Sequence, residues 1–442
     1  MRRRQRRFRL LHLAAATTAF ALSVAATLAW AWTGGVDQLG LPFGYPGDPT
    51  VAIPAPARSP LPEPGVPMIP DPDRPPTEPG VPGPASSLDP TAPDPTALDP
   101  TALDPTALGG PRPAGPGLAG PGSRPCRTGA KLVPTCGVLW GVAPGAFTEE
   151  RGRAALASFE DKTQRHQDIY HAYHHGTKQL FPTREEIAIA RQSGKERLLF
   201  VNWKPAGASW AAIAKGDRKT DAFLDRLAAH INKNFPEDFF FAVHHEGEDN
   251  VRQKPGSGYT AEDYAAMFRH VVERLRARGV DNLVTVLVHM AYVPHTTQSW
   301  FDEMYPGDDV VDWIGFDTYA YSDPGYGHGD FAELLNRRME SKPSWPGFYN
   351  WAITEHADKP LMVAEWGVWS STRNPRHKAK FYREVGRQIA KFPNIRAMVH
   401  FETPHNQDGR DSTVDSTPEA LKAYRWLGRL PVFQVQVING LS

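Results

Sequence analysis

Three short segments of the chain place acidic, imidazole or phenolic side chains directly behind wholly apolar runs. Phe239-Phe-Phe-Ala-Val leads into His244, His245 and Glu246; Trp313-Ile-Gly-Phe leads into Asp317 and Tyr319; Leu361-Met-Val-Ala leads into Glu365, Trp366 and Gly367. An apolar run carries whatever follows it to the edge of a hydrophobic core, where partial burial penalises an ionised carboxylate and raises its pKa. A carboxyl kept protonated near neutrality can donate a proton, while a second that stays ionised can attack or act as a base. Cleavage of a glycosidic bond needs such a pair, one group protonating the leaving oxygen and the other attacking, or activating water at, the sugar carbon. Glu246 and Glu365 are the pair these segments nominate. Carboxyls about 5–5.5 Å apart would imply double displacement with retention of configuration. Taken singly, each could be an ordinary loop carboxylate or the partner of a nearby arginine.

Two glutamates so far apart in sequence need a frame that brings them together. From Gly137 onward, short apolar runs alternate with longer amphipathic stretches, the pattern of parallel strands joined by helices. Eight runs predict strands: Gly137 to Val142, Asp168 to Tyr173, Arg197 to Trp203, Phe239 to His244, Asn282 to His289, Val311 to Asp317, Pro360 to Glu365 and Ile395 to Phe401. Between them, Thr260 to Arg278 reads as a capped helix with acids in its first turn and arginines in its last, and Pro375 to Lys391 as another. Eight strand-helix pairs give an α/β fold, a (β/α)8 TIM barrel, in which chemistry sits at the C-terminal ends of the strands. Strands four and seven then face each other across one mouth. An open doubly wound sheet is the alternative, but no glycine-rich phosphate loop follows the first strand.

The rest of the 442 residues divides unevenly. Met1 to Arg9 is arginine-rich and Leu10 to Trp32 almost wholly apolar, so 1–32 is expected to be a signal peptide, cleaved near Ala29-Trp30-Ala31, or an uncleaved signal anchor. Residues 33–125 hold most of the 43 prolines, with Asp94-Pro-Thr-Ala-Leu repeated at Asp99 and Asp104, and are expected to form a disordered Pro-rich linker. Residues 126–442 are the expected catalytic domain. Both features predict a secreted protein, tethered to membrane or cell wall if the anchor stays. Cys126 and Cys136, the only two cysteines, fit a disulfide closing a small loop outside the cytoplasm. Lys+Arg and Asp+Glu both total 49, so no global charge would hold nucleic acid.

His245-Glu246 after strand four, Asp317-x-Tyr319 after strand six and Glu365-Trp-Gly after strand seven together resemble the active-site signature of glycoside hydrolase family 26. The segment Phe159-Glu-Asp-Lys-Thr-Gln-Arg165 is similar to that family's early Phe-Glu and Arg pattern. The resemblance runs from about Cys136 to about Leu427. It implies a β-mannanase-like enzyme acting on a polysaccharide; no cofactor or metal is expected, and the protein is expected to be a monomer. Position by position it implies Glu246 as general acid/base and Glu365 as nucleophile. His245 and Tyr319 would hydrogen-bond around the nucleophile, and Asp317 would contact sugar. After His245-Glu246, however, the chain continues Gly247-Glu-Asp-Asn-Val-Arg-Gln-Lys-Pro-Gly-Ser-Gly258, a polar stretch without aromatics where the family often has Met-Asn-Gly and tryptophans. β-Mannan, mixed-linkage β-glucan, β-1,3-xylan and a wall or exopolysaccharide all stay open as substrates.

Other residues compete for roles. Trp203, closing strand three, is the expected stacking platform for a pyranose, with Trp366 and Trp369 along the groove. His174 or His175 is expected on a sugar hydroxyl, and Glu402 and His405 near substrate. Glu248 and Asp249 are alternative acids. His171, His174, His175, His244 and His245 could instead ligate a metal in a metal-dependent hydrolase or deacetylase, although their spacing matches no closed zinc motif. A wall-tethered carbohydrate-binding barrel without turnover is the remaining alternative.

Overall fold

A computed structural model of the protein describes residues 125–324, 329–406 and 409–438. The predicted export segment and the repeat-bearing linker lie outside the described residues, Pro125 apart. Eight strands close into one parallel barrel in chain order: β1 Leu139–Ala143, β2 Ile169–His175, β3 Leu198–Lys204, β4 Phe239–Val243, β5 Leu283–Met290, β6 Trp313–Tyr321, β7 Leu361–Trp369 and β8 Ile395–Phe401. These are the eight apolar runs of the sequence. The main difference is that β6 and β7 continue past the expected ends, paired as far as Tyr321 with Trp369. Asp317 and Glu365 thus stand inside hydrogen-bonded strands, which hold side chains more rigidly than loops do.

Alternation along each strand sorts the side chains into two cores. Leu198, Phe200, Phe240, Val286, Trp313 and Met362 fill the barrel, while Leu199, Val201, Phe241, Leu287 and Ile314 face the helices. β7 interrupts its own alternation. Val363 is opposite Phe316 but Glu365 is opposite Asp317, and an extra residue also appears against β8, so a bulge falls at Ala364. A bulge re-aims the residues after it. Ala364 fills the barrel core, and Glu365 next to it also points inward at the mouth instead of out to the helices.

The helix Ala261–Ala277 begins as expected at Thr260, whose hydroxyl accepts from the Asp263 amide while the Asp263 carboxylate accepts from the Thr260 amide. The helix His377–Gln388 follows β7. No described helix is long and apolar enough to cross a membrane.

Cys126 and Cys136 are joined by a disulfide. The loop between them closes the barrel floor: Leu132 packs with Val435 and the inner core, and Trp313 Nε1 donates to the Lys131 carbonyl at 2.8 Å. Gly137 leaves this loop at φ +73°, with its Cα so close to the Val432 carbonyl that an added Cβ would lie 2.6 Å from the oxygen. The mouth, at the other end, carries the reactive groups.

Candidate active site

Glu365 is nearly buried and gripped on both oxygens. The Tyr173 hydroxyl, from β2, donates to Oε1 at 2.6 Å; the Tyr319 hydroxyl, from β6, donates to Oε2 at 2.8 Å. His245 Nε2 lies 3.4 Å from Oε1. Burial, and then the charge of Glu365, push both phenols far above their ordinary pKa, so they remain protonated donors. Two donors on an acceptor-only carboxylate fix its plane.

Glu246 arrives differently. His244 and Glu246 both take left-handed backbone, φ +50° and +53°, which for non-glycine residues costs about 1–3 kcal/mol each. The turn is braced from several sides. The Glu246 amide donates to the Val288 carbonyl at 3.1 Å, and the Tyr264 hydroxyl lies 3.2 and 3.1 Å from the Val243 and His244 carbonyls. Gly247 passes so close to the Tyr264 ring that a Cβ there would come within 2.5 Å of it. Burial pushes the Glu246 carboxyl well above the usual range, and the charges of Glu365, Asp249 and Glu248 add to the effect against the opposing pull of Lys204. The mouth therefore holds one carboxyl biased toward the protonated form and another fully engaged by phenolic donors.

Asp317, opposite Glu365 in the ladder, is 3% exposed, and among the described residues no side chain donates to its oxygens, although the Glu365 backbone amide acts on the carboxyl. Burial and the charges of Glu365, Glu246 and Glu248 raise its pKa well above normal. A buried carboxyl with unmet hydrogen-bonding capacity beside the reactive pair suits the hydroxyls of a bound sugar.

Not every expected residue reaches the mouth. Trp203 is fully buried on the outer face of β3, stacked on Phe223 with its Nε1 donating to the Gly176 carbonyl at 2.7 Å. It is a core residue and offers no face to a sugar. Trp366 is likewise fully buried, wedged among Trp140, Tyr382, His400 and Tyr424, because it follows Glu365 on a strand and must face the other way. Trp369 does reach the mouth, stacked on Tyr319 with ring centroids 5.0 Å apart and below the Arg410 guanidinium. His175 is exposed at the end of β2. Glu402 is tied to Lys162, His400 and the Val414 amide, and these partners hold it below its ordinary pKa despite burial; it braces the outer layer. His405 is exposed. Glu248 is buried against His289, and exposed Asp249 meets His295 at 3.0 Å, so neither stands where Glu246 does.

The histidines are held by separate partners. His171 contacts Tyr173 and Asn202, His174 contacts Glu186, and His244 contacts Trp210 and Asn250. Among the described residues, the group that could hold a metal is His245, Asp317 and Glu365, whose donor atoms lie within 4.8 Å of one another. Tyr173 is the functional residue that sequence reasoning missed. Its signal was present: His171, Tyr173 and His175 share one face of β2, the face that must line the barrel.

Residues 222–337, which include Glu246, Asp317 and Tyr319, match the sequence profile of Glycosyl hydrolase family 26. Endoglucanase H of Acetivibrio thermocellus is 26% identical over 294 residues, 64% of this chain and 30% of that protein. Beta-1,3-xylanase TXYA of a Vibrio species is 40% identical over 132 residues, 27% of this chain and 28% of that protein. The matched part thus spans less than a third of either relative's length. A solved GH26 beta-mannanase from Bacteroides ovatus aligns with a TM-score of 0.47 at 17% identity, over 69% of this chain and 90% of that one. The family match thus falls on the part of the chain that carries Glu246, Asp317 and Tyr319, and there the chain is similar to glycosyl hydrolase family 26.

Proposed function

We propose that the protein is an exported retaining glycoside hydrolase that cleaves a β-linked polysaccharide, β-mannan or a related β-glycan, with Glu246 as general acid/base and Glu365 as nucleophile. The observation that carries this reading is the contrast between the two carboxyls: Glu365 held on both oxygens by phenols, Glu246 desolvated and biased toward its acid form. In the first step a Glu365 oxygen attacks the anomeric carbon while Glu246 gives its proton to the departing glycosidic oxygen. Glu365 is then esterified and neutral, which removes one of the charges that raise the Glu246 pKa. Glu246, now ionised, takes a proton from water as the water oxygen attacks the same carbon and frees Glu365.

The stretch similar to a β-1,3-xylanase favours β-1,3-xylan as the second substrate to try. The disulfide at the floor supports export, since such bonds persist in oxidising compartments. The test is hydrolysis of β-mannan, mixed-linkage β-glucan and β-1,3-xylan by the full chain beside Glu246→Ala and Glu365→Ala, with the anomer of the first product read by proton NMR. Loss of activity in both variants and an initial β-anomer are expected. Full activity in both variants, or an initial α-anomer, would sink the mechanism.

A further inference from the structure

We propose that His171, backed by Asn202, is a positioning residue that fixes the direction of a hydrogen-bonded line running Asn202, His171, Tyr173, Glu365. The proposal rests on the reading of Glu365 as nucleophile for its kinetic meaning, but the line itself follows from geometry.

A phenol has one proton to give. The Tyr173 hydroxyl is 2.6 Å from Glu365 Oε1, and an ionised carboxylate can only accept, so the proton is committed there. The Tyr173 oxygen is also 3.1 Å from His171 Nδ1, and with its proton spent it must accept, which places a hydrogen on Nδ1. The other ring nitrogen, Nε2, is 2.9 Å from Asn202 Nδ2 and can accept from that amide only if it carries no hydrogen. One assignment satisfies all three contacts: a neutral imidazole bearing its hydrogen on Nδ1. Turning the Asn202 amide over would demand a hydrogen on both ring nitrogens, hence a buried cation.

The surroundings oppose that cation. The imidazole lies flat on the Phe200 ring, 4.0 Å between centroids at 16°, which also stops it from rotating out of line. Burial, and then the neighbouring His245, depress the His171 pKa far below the ordinary value. The other titratable groups facing this pair across the mouth are Asp317, Tyr319 and Glu365. Hydrogen bonds in series polarise one another, so a Tyr173 hydroxyl that accepts from His171 is a stronger donor to Glu365 than an isolated phenol. His171 thereby acts on the carboxylate through Tyr173, without touching substrate.

The test has two arms. In the full chain with 15N-labelled histidine, the His171 ring is expected as the Nδ1–H tautomer from about pH 5 to 8, with its resonances moved by Tyr173→Phe. An Nε2–H tautomer or a charged ring would overturn the proposal whether or not the protein hydrolyses anything. The second arm compares His171→Phe, which keeps the stack on Phe200 but loses the donor, with His171→Asn, whose amide nitrogen can stand where Nδ1 stands. His171→Phe is expected to lower kcat about 10-fold with KM little changed and to move the acidic limb of the pH profile to higher pH; His171→Asn should recover most of this. Equal losses in both variants with an unmoved limb would leave His171 as packing only. Inactivity of the wild type, or activity of Glu365→Ala, would instead defeat the glycosidase reading, and the tautomer would still decide the line.

Discussion

The Tyr319 hydroxyl reaches Glu365 Oε2 at 2.8 Å across the β6–β7 seam because the bulge at Ala364 turns Glu365 inward beside it. The bulge and the tyrosine act together: the first aims the carboxylate, the second holds it.

Tyr319→Phe removes that one donor and keeps the stack on Trp369. Loss of a single hydrogen bond to a charged group should lower kcat about 10-fold with KM nearly unchanged. Steady-state kinetics on the preferred β-glycan check this, and a rise in KM with constant kcat would assign Tyr319 to ground-state binding instead.

In the proposed mechanism the raised pKa of Glu246 sets the basic limb of the activity profile. Its acid form is needed for the first step, so activity should persist above the ordinary carboxylate range and fall as pH rises through the raised value. Glu248→Gln removes one of the charges responsible and should move that limb to lower pH. A limb that stays put in kcat/KM profiles would mean Glu248 has no such influence.

The same shift has a stability consequence of defined sign. A carboxyl whose folded pKa lies above the unfolded value, 4.5, favours folding fully below that pH and loses the contribution as pH rises through the folded pKa. Glu246→Gln should therefore raise the melting temperature at pH 7, with the gain shrinking toward pH 4. Calorimetry at the two pH values decides it; a gain larger in acid contradicts the assignment.

Trp366→Ala should destabilise the protein by about 3–5 kcal/mol, the usual result of emptying a large buried aromatic site. Denaturant titration measures this. A well-folded variant with an elevated KM would return Trp366 to the sugar groove, against its position among Trp140, Tyr382 and Tyr424.

Cys126→Ser with Cys136→Ser opens a loop of sequence separation 10, whose closure in the unfolded chain is worth about 2–3 kcal/mol. The double variant should unfold at correspondingly lower denaturant while kcat is kept, because the loop lies on the floor. A matching loss of kcat would show that the floor and the mouth are coupled.

The barrel was legible because each strand is an apolar run bounded by polar residues, and Glu246, Asp317, Tyr319 and Glu365 stood out because they break such runs. Facing was harder to read. Asn202 and Trp203 are neighbours on β3, so one must point into the barrel and the other toward the helices, and it is the indole, expected at the mouth, that takes the helix side. On β7 strict alternation from Met362 and Ala364 would have turned Glu365 outward; only the bulge reverses this, and nothing in Leu361-Met-Val-Ala-Glu announces one. Tyr173 was missed because its partner Glu365 lies across the barrel, a pairing set by closure and not by local pattern.

At the floor, Arg127 pairs with Gln436 and the Gln436 amide donates to the Cys126 carbonyl at 2.8 Å, so both margins of the described region lie on the side opposite the cleft. An affinity tag, resin linkage or fused module joined before Cys126 or after Ile438 starts from behind the catalytic opening. The arrangement suits immobilised or surface-displayed use, since the attachment points leave the mouth free for the proposed polysaccharide.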